Sequence, residues 1–209
     1  MSRIRKHKIG KDTSTKRKRR KLRKETVWTM IFAGVLFISV VGMMFGGVSH
    51  NPDDYVYKQQ KFTRTNQGWM TNVDGASLRF DFFPGDIEQI NISSDVFETL
   101  KSKKVIWLTF NPATKDLQTM ELTRFELGNL FSTHLGTYIS GGITQDNLDY
   151  SLPIINCINA TPEIPVILLE TANQSSVEKI GDCIQIKGTS NGIIAIKDRI
   201  AYQMLGIME

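Results

Sequence analysis

IPVILL, residues Ile164 to Leu169, runs without a single polar side chain. A strand with one wet face alternates, so an unbroken apolar run of this length marks a strand covered on both faces. Downstream, CIQIK (Cys183 to Lys187) does alternate. Asn191-Gly192 then opens IIAIKDRIAYQMLGI, where Ile193, Ile196, Ile200 and Met204, joined by Ile194, Ala201 and Leu205, keep the 3.6-residue period of a helix. Upstream, VIWLTF (Val105 to Phe110) is β-branched and aromatic and stops at Asn111-Pro112, which predicts a second buried strand.

The stretch between these strands alternates as well. Met120 to His134 spaces Leu122, Phe125, Leu127, Leu130 and Phe131 as a helix does, and Tyr138 to Ile143 reads as a strand bent at Gly141-Gly142. Ser93 to Asp95 offers N-caps for a helix to Ser102, with Val96, Phe97 and Leu100 on one face. Before it come a short strand, Glu88 to Ile92, and SLRFDFF (Ser77 to Phe83), whose Leu78, Phe80 and Phe82 share one side until Pro84-Gly85 turns the chain. NPDDYVYKQQK (Asn51 to Lys61) is polar enough for a stalk or a first edge strand. Strands alternating with helices predict a sheet with helices packed on it, with a more antiparallel N-terminal third: an α+β or mixed α/β domain over residues 50–209.

Charge divides the chain. Residues 1–25 hold thirteen Lys and Arg against Asp12 and Glu25, a net of +11, so the whole-chain +5 leaves −6 for the remainder. The block Lys16, Arg17, Lys18, Arg19, Arg20, Lys21, Arg23 and Lys24 directly precedes a window from Thr26 to Pro52 with no charged residue. The core of that window, Val27 to Val48, would reach roughly 33 Å as a helix, against about 30 Å of hydrocarbon. The expectation is therefore a disordered basic cytoplasmic tail (1–25), one transmembrane signal-anchor helix (26–49) and an extracytoplasmic domain in a single-pass protein of the cell membrane. A cleaved leader is the alternative, from the small residues Gly46, Gly47 and Ser49. Gly42 and Gly46 form a G-x-x-x-G spacing, a candidate for helix self-association.

The tail implies anionic lipid as a partner. It has no aromatic to stack on a base, and the acidic remainder repels polyanions, which disfavours nucleic acid as a ligand. The two cysteines, Cys157 and Cys183, are expected as a structural disulfide, because they lack the C-x-x-C spacing of a redox pair and have no His nearby for a metal. Three N-x-S/T sequons begin at Asn91, Asn159 and Asn173; the last two fall in loop-like sequence, the first in the expected strand.

Catalytic groups are scarce. Asp81, Asp86 and Glu88 gather around FDFFPGDIE, and His134 follows Ser132 near a helix end. The acids suit glycoside chemistry or a calcium ligand set in principle, but turn acids beside Pro-Gly and a His at a helix C-terminus are both ordinary. Asp198 and Arg199 are adjacent, so they point about 100° apart and are expected on one polar flank of the last helix. No nucleotide loop, metal motif or nucleophile motif is present, so no cofactor is expected. The expected function is a non-enzymatic binding or structural protein: an envelope component, an adhesion or assembly module, or an accessory subunit of a membrane complex, with a protein partner or a second copy as ligand. A membrane-anchored hydrolase or glycan-acting enzyme is the alternative, and a tail that binds ribosome or nucleic acid the third.

Overall fold

The computed structural model describes residues 28–37 and 53–209. They fall in two units, divided between His50 and Asn51. In the first, helix α1 covers residues 28–37. Its Trp28 and Phe32, one turn apart, have ring centroids 6.2 Å apart. The expected membrane-spanning helix over residues 26–49 is corrected here. Among the described residues no helix is long and apolar enough to cross a membrane. The basic block and the Gly42/Gly46 pair lie outside the described residues.

The second unit is mixed α/β and holds both sheets. Four antiparallel strands form a meander: β1 Asp54–Tyr57, β2 Gln60–Thr65, β3 Gly68–Val73 and β4 Ala76–Phe80. The polar segment expected as a stalk is thus part of a hairpin, Tyr57 pairing with Gln60 across Lys58-Gln59. The β3–β4 turn is Asp74-Gly75, both at positive φ (51° and 84°), the backbone that matches the twist of a two-residue hairpin. Helix α2 (Pro84–Ile87) follows, and the expected strand at Glu88 to Ile92 is instead a loop leading to α3 (Ser94–Ser102).

The second sheet has the order β6-β5-β7-β9-β8, from β5 Val105–Phe110, β6 Tyr138–Ile143, β7 Val166–Thr171, β8 Ser176–Ile180 and β9 Cys183–Gly188. All neighbours are parallel except the β8–β9 hairpin. Helix α4 (Leu117–Leu130), prolonged by a wide π turn at Phe131–Leu135, connects β5 to β6, and α5 (Ser190–Met204) follows β9. Thr189 caps α5, its hydroxyl accepting the Gly192 N–H at 3.2 Å.

β7 is buried on both faces for two different reasons. Ile167 and Leu169 join Leu108, Ile184, Ile196 and Ile200 in the core beneath the helices. Val166 and Leu168 meet Ile155, Cys157 and Ala160 of the connector that leads from β6 to β7. That connector lies close: a Cβ on Gly142 would stand 2.9 Å from the Ile155 side chain, so glycine serves there for approach, not for a bend. The Cys157–Cys183 disulfide joins the connector to β9, and the buried Thr109 hydroxyl donates to the Ile155 carbonyl at 2.8 Å.

Helix α5 has no wet side. One face meets the five-stranded sheet, while Ala195, Ala201 and Tyr202 pack with Phe62 and Phe80 of the meander and with Ile207 and Met208 beyond the helix. Tyr202 is fully buried, its ring 4.2 Å from that of Phe80 and 5.8 Å, edge-on, from that of Phe62. In α4 the buried side is Met120, Thr123 and Leu127, while Leu122 and Phe125 face solvent, a stripe rotated from the one the apolar spacing suggests.

Candidate functional site

In chain order β5 is laid down first, β6 on one side of it and β7 on the other. Connections leaving a parallel sheet in opposite directions open a crevice outside the carboxyl ends of the strands, where ligands of such sheets bind. Here that crevice is a cavity of about 350 Å³, floored by Met120, Leu168 and Leu169 and walled by Asn111, Thr114, Thr144, Asn156, Glu170 and Thr171. All the wall residues but Asn156 come from the end of a strand or from the segment just after it. Asn111 and Thr114 follow β5, Thr144 follows β6, Asn156 belongs to the connector, and Glu170 and Thr171 end β7.

The walls are amide and hydroxyl groups with one carboxylate, Glu170, several of them held by local bonds. The Thr114 and Thr171 hydroxyls hydrogen-bond each other at 2.8 Å. The Asn111 side-chain oxygen accepts the Ala113 N–H at 2.8 Å, which leaves its amide N–H groups as donors toward a guest. Glu170 pairs with Lys187 of β9 at 3.7 Å. Beyond Thr171 a second cleft of about 280 Å³ continues along the same sheet edge, past Lys115, Asn173 and Asn191. There the Ser190 hydroxyl donates to Asp116 at 2.8 Å and ties the start of α5 to the start of α4. Neither cleft is lined by a His or a Cys; the carboxylates that line them are Glu170 in the first and Asp116 in the second.

The residues named from sequence for catalysis do not converge. Asp81 is held by Lys197 at 2.7 Å, and Glu88 accepts the Tyr57 hydroxyl at 3.1 Å. The Asp86 carbonyl accepts from Gln89 at 2.8 Å. Ser132 donates to the Asn129 carbonyl at 3.1 Å, and no bond links it to His134. Among the described residues no group of three or more His, Cys, Asp or Glu could hold a metal ion.

The expectation for Asp198 and Arg199 is corrected more sharply. Lys197, Asp198 and Arg199 are all buried, at 5%, 1% and 7% exposure, because α5 is enclosed by both sheets. Lys197 bridges three carboxylates: Asp81 at 2.7 Å, Asp198 at 3.0 Å and Glu126. The other Asp198 oxygen accepts the backbone N–H groups of Asp81 and Phe82 at 2.8 and 2.9 Å, and Tyr202 donates to the Phe82 carbonyl at 2.7 Å. One helix thereby fixes the corner between β4 and α2. Arg199 donates to Gln203 and to the Glu209 carbonyl, at 2.7 and 2.8 Å, with its guanidinium 5.8 Å from the centre of the Phe97 ring. A cavity of about 190 Å³ opens beside the cluster, with Arg79 and Thr133 at its rim.

Burial pushes the Asp198 carboxyl up to about 6, against the pull of Lys197 and the Phe82 N–H. Burial alone would lower the Lys197 ammonium, but Asp198, Asp81 and Glu126 override it and hold its pKa above the ordinary lysine value. A lysine kept charged in this way is a structural cation, unavailable as a nucleophile. The sign of the Asp198 effect is unusual for a carboxylate. Its folded pKa lies above the unfolded value near 4, so its contribution is fully present below pH 4 and fades as pH rises toward 6. Measured against Asp198→Asn, wild-type stability should fall by on the order of 2–3 kcal/mol between pH 4 and 6 and then level. Thermal melts of the two proteins across that range check this, and a difference that grows with pH would refute it.

Comparison with protein-family models, with curated proteins and with solved structures gives no match. The crevice therefore stands on its own geometry.

Proposed function

We propose that the second unit is a non-catalytic binding module of an oxidising, extracytoplasmic compartment. Its ligand is an extended segment of a partner polypeptide, taken along the carboxyl-end edge of the five-stranded sheet. The observation that carries this reading is a switch-point crevice walled by amide and hydroxyl side chains and by one carboxylate, Glu170, which is paired with Lys187. Asn and Thr side chains both donate and accept, which suits the alternating N–H and C=O of an extended backbone.

The connector from β6 to β7 adds a second line of support. It contributes Thr144 and Asn156 to the crevice and turns Leu148, Ile154, Ile158 and Ile164 to solvent, Leu148 and Ile158 almost wholly. Long irregular connectors in compact domains are commonly functional, and exposed apolar side chains beside a polar slot are what a partner's own apolar residues would cover. The disulfide supports the compartment, since such bonds persist where thiols are not kept reduced. The acids and the Ser132/His134 pair that a hydrolase would use are engaged in structural bonds or stand apart.

Photo-cross-linking residues placed in native cells at Asn156 and Ile158, with Lys61 of the meander as control, test this reading. Both connector positions should join the same polypeptide, a second copy of this chain included, and Lys61 should not. Filling the crevice with Thr171→Arg should abolish those cross-links while leaving the melting temperature unchanged. Equal cross-linking from Lys61, insensitivity to Thr171→Arg, or turnover of a small substrate would overturn it.

A further inference from the structure

We infer that Asn173 is an N-glycan attachment site, and that the fold selects it over Asn91 and Asn159. Asn173 lines the cleft beyond Thr171, so a glycan there would confine a ligand of the sheet edge to the crevice itself. All three asparagines are exposed, so exposure alone does not separate them. What separates them is the state of the whole tripeptide, because a transferase must draw the Asn and the hydroxyl residue two places on into its own site together.

At Asn91-Ile92-Ser93 the middle residue is part of the core. Ile92 is 7% exposed and packs with Val96, Phe97 and Leu100, so presenting this tripeptide means pulling an isoleucine out of the interior. At Asn159-Ala160-Thr161 both ends are in use. The Asn159 side-chain oxygen accepts the Asn156 N–H at 2.8 Å, and the Thr161 hydroxyl accepts the Ile164 N–H at 3.1 Å. This sequon also sits two residues beyond Cys157, in the segment that the disulfide pins to β9. Asn173-Gln174-Ser175 carries neither restraint, its close contact being the Ser175 hydroxyl against Gly188 and Gly192. It forms the turn between β7 and β8, all three residues are exposed, and neither the Asn173 carboxamide nor the Ser175 hydroxyl hydrogen-bonds to another described residue.

The co-reactant is a lipid-linked glycosyl phosphate. A bond forms between Asn173 Nδ2 and C1 of the sugar as the C1–O bond to phosphate breaks, its electron pair leaving with the phosphate. The displaced nitrogen proton passes to a base of the transferase, and nothing is oxidised or reduced. The compartment that favours the Cys157–Cys183 bond is also the one where sequons meet such transferases.

Peptide mapping by mass spectrometry of protein isolated from its own cells decides the matter. The peptide bearing Asn173 should be heavier by a glycan, and those bearing Asn91 and Asn159 should have their sequence masses. In Asn173→Gln the added mass of the intact protein should vanish while the melting temperature holds. Three unmodified sequons, a glycan on Asn91 or Asn159 in place of Asn173, or equal occupancy of all three would overturn the inference.

Discussion

Lys197→Met should lower the stability of the second unit by about 3–5 kcal/mol, the cost of removing one partner from a buried ion cluster. The substitution keeps most of the packed volume and deletes the single cation that Asp81, Asp198 and Glu126 share. Asp198, 1% exposed, then either stays charged in an apolar interior or takes up a proton and weakens its hold on the Asp81 and Phe82 N–H groups. For a unit of this size the loss corresponds to roughly 6–20 °C in melting temperature. Lys197→Met/Asp198→Asn should recover part of it, because the second change removes the charge that the first stranded. A single variant that melts within about 2 °C of wild type would show the cluster to be dispensable.

That cluster also marks where sequence reasoning stops. Lys197, Asp198 and Arg199 look like a solvated flank because an amphipathic helix is assumed to have one wet side. The assumption fails only once a second sheet is known to cover α5. The meander hides for a related reason. Its strands are short and polar outside, and the Asp74-Gly75 turn that announces a hairpin is two residues in a stretch without a long apolar run. What was legible was whatever a single strand or helix decides alone. The double burial of β7 follows from IPVILL, the edges of β5 from VIWLTF and its Asn-Pro stop, and the buried face of α3 from the spacing of Val96, Phe97 and Leu100, although its N-cap residue Ser93 makes no side-chain cap bond. The crevice could not be read, since it depends on β6 and β7 falling on opposite sides of β5, a fact of strand order that no local pattern encodes. The stripe on α4 misled for a subtler reason: Thr123 takes a core position while Leu122 and Phe125 stay outside, so hydrophobicity there does not track burial.

Removing the disulfide with Cys157→Ser and Cys183→Ser should cost about 3 kcal/mol, from a closed loop of about 25 residues. The effect should not be confined to stability. Cys157 directly follows Asn156, a wall of the crevice, and the connector is otherwise fastened by the Thr109–Ile155 bond and by the short bridge between Ile143 and Ile154. With the covalent tie gone, Val166, Leu168 and the Trp107 side chain rely on a connector that is free to lift, and the face of β7 opposite the helices becomes the first to exchange with solvent. Hydrogen exchange in the double variant should therefore accelerate in the 144–165 segment and at the β7 and β9 amides, while the meander, on the far side of α5, keeps its protection. The same variant should lose the cross-links from Asn156 and Ile158 if the crevice is the binding edge. Uniform acceleration across both sheets would mean that the disulfide supports global stability alone. An unchanged exchange pattern at 144–165 would mean that the connector is held by its packing against Val166 and Leu168, and that Cys157–Cys183 does not position Asn156 at all.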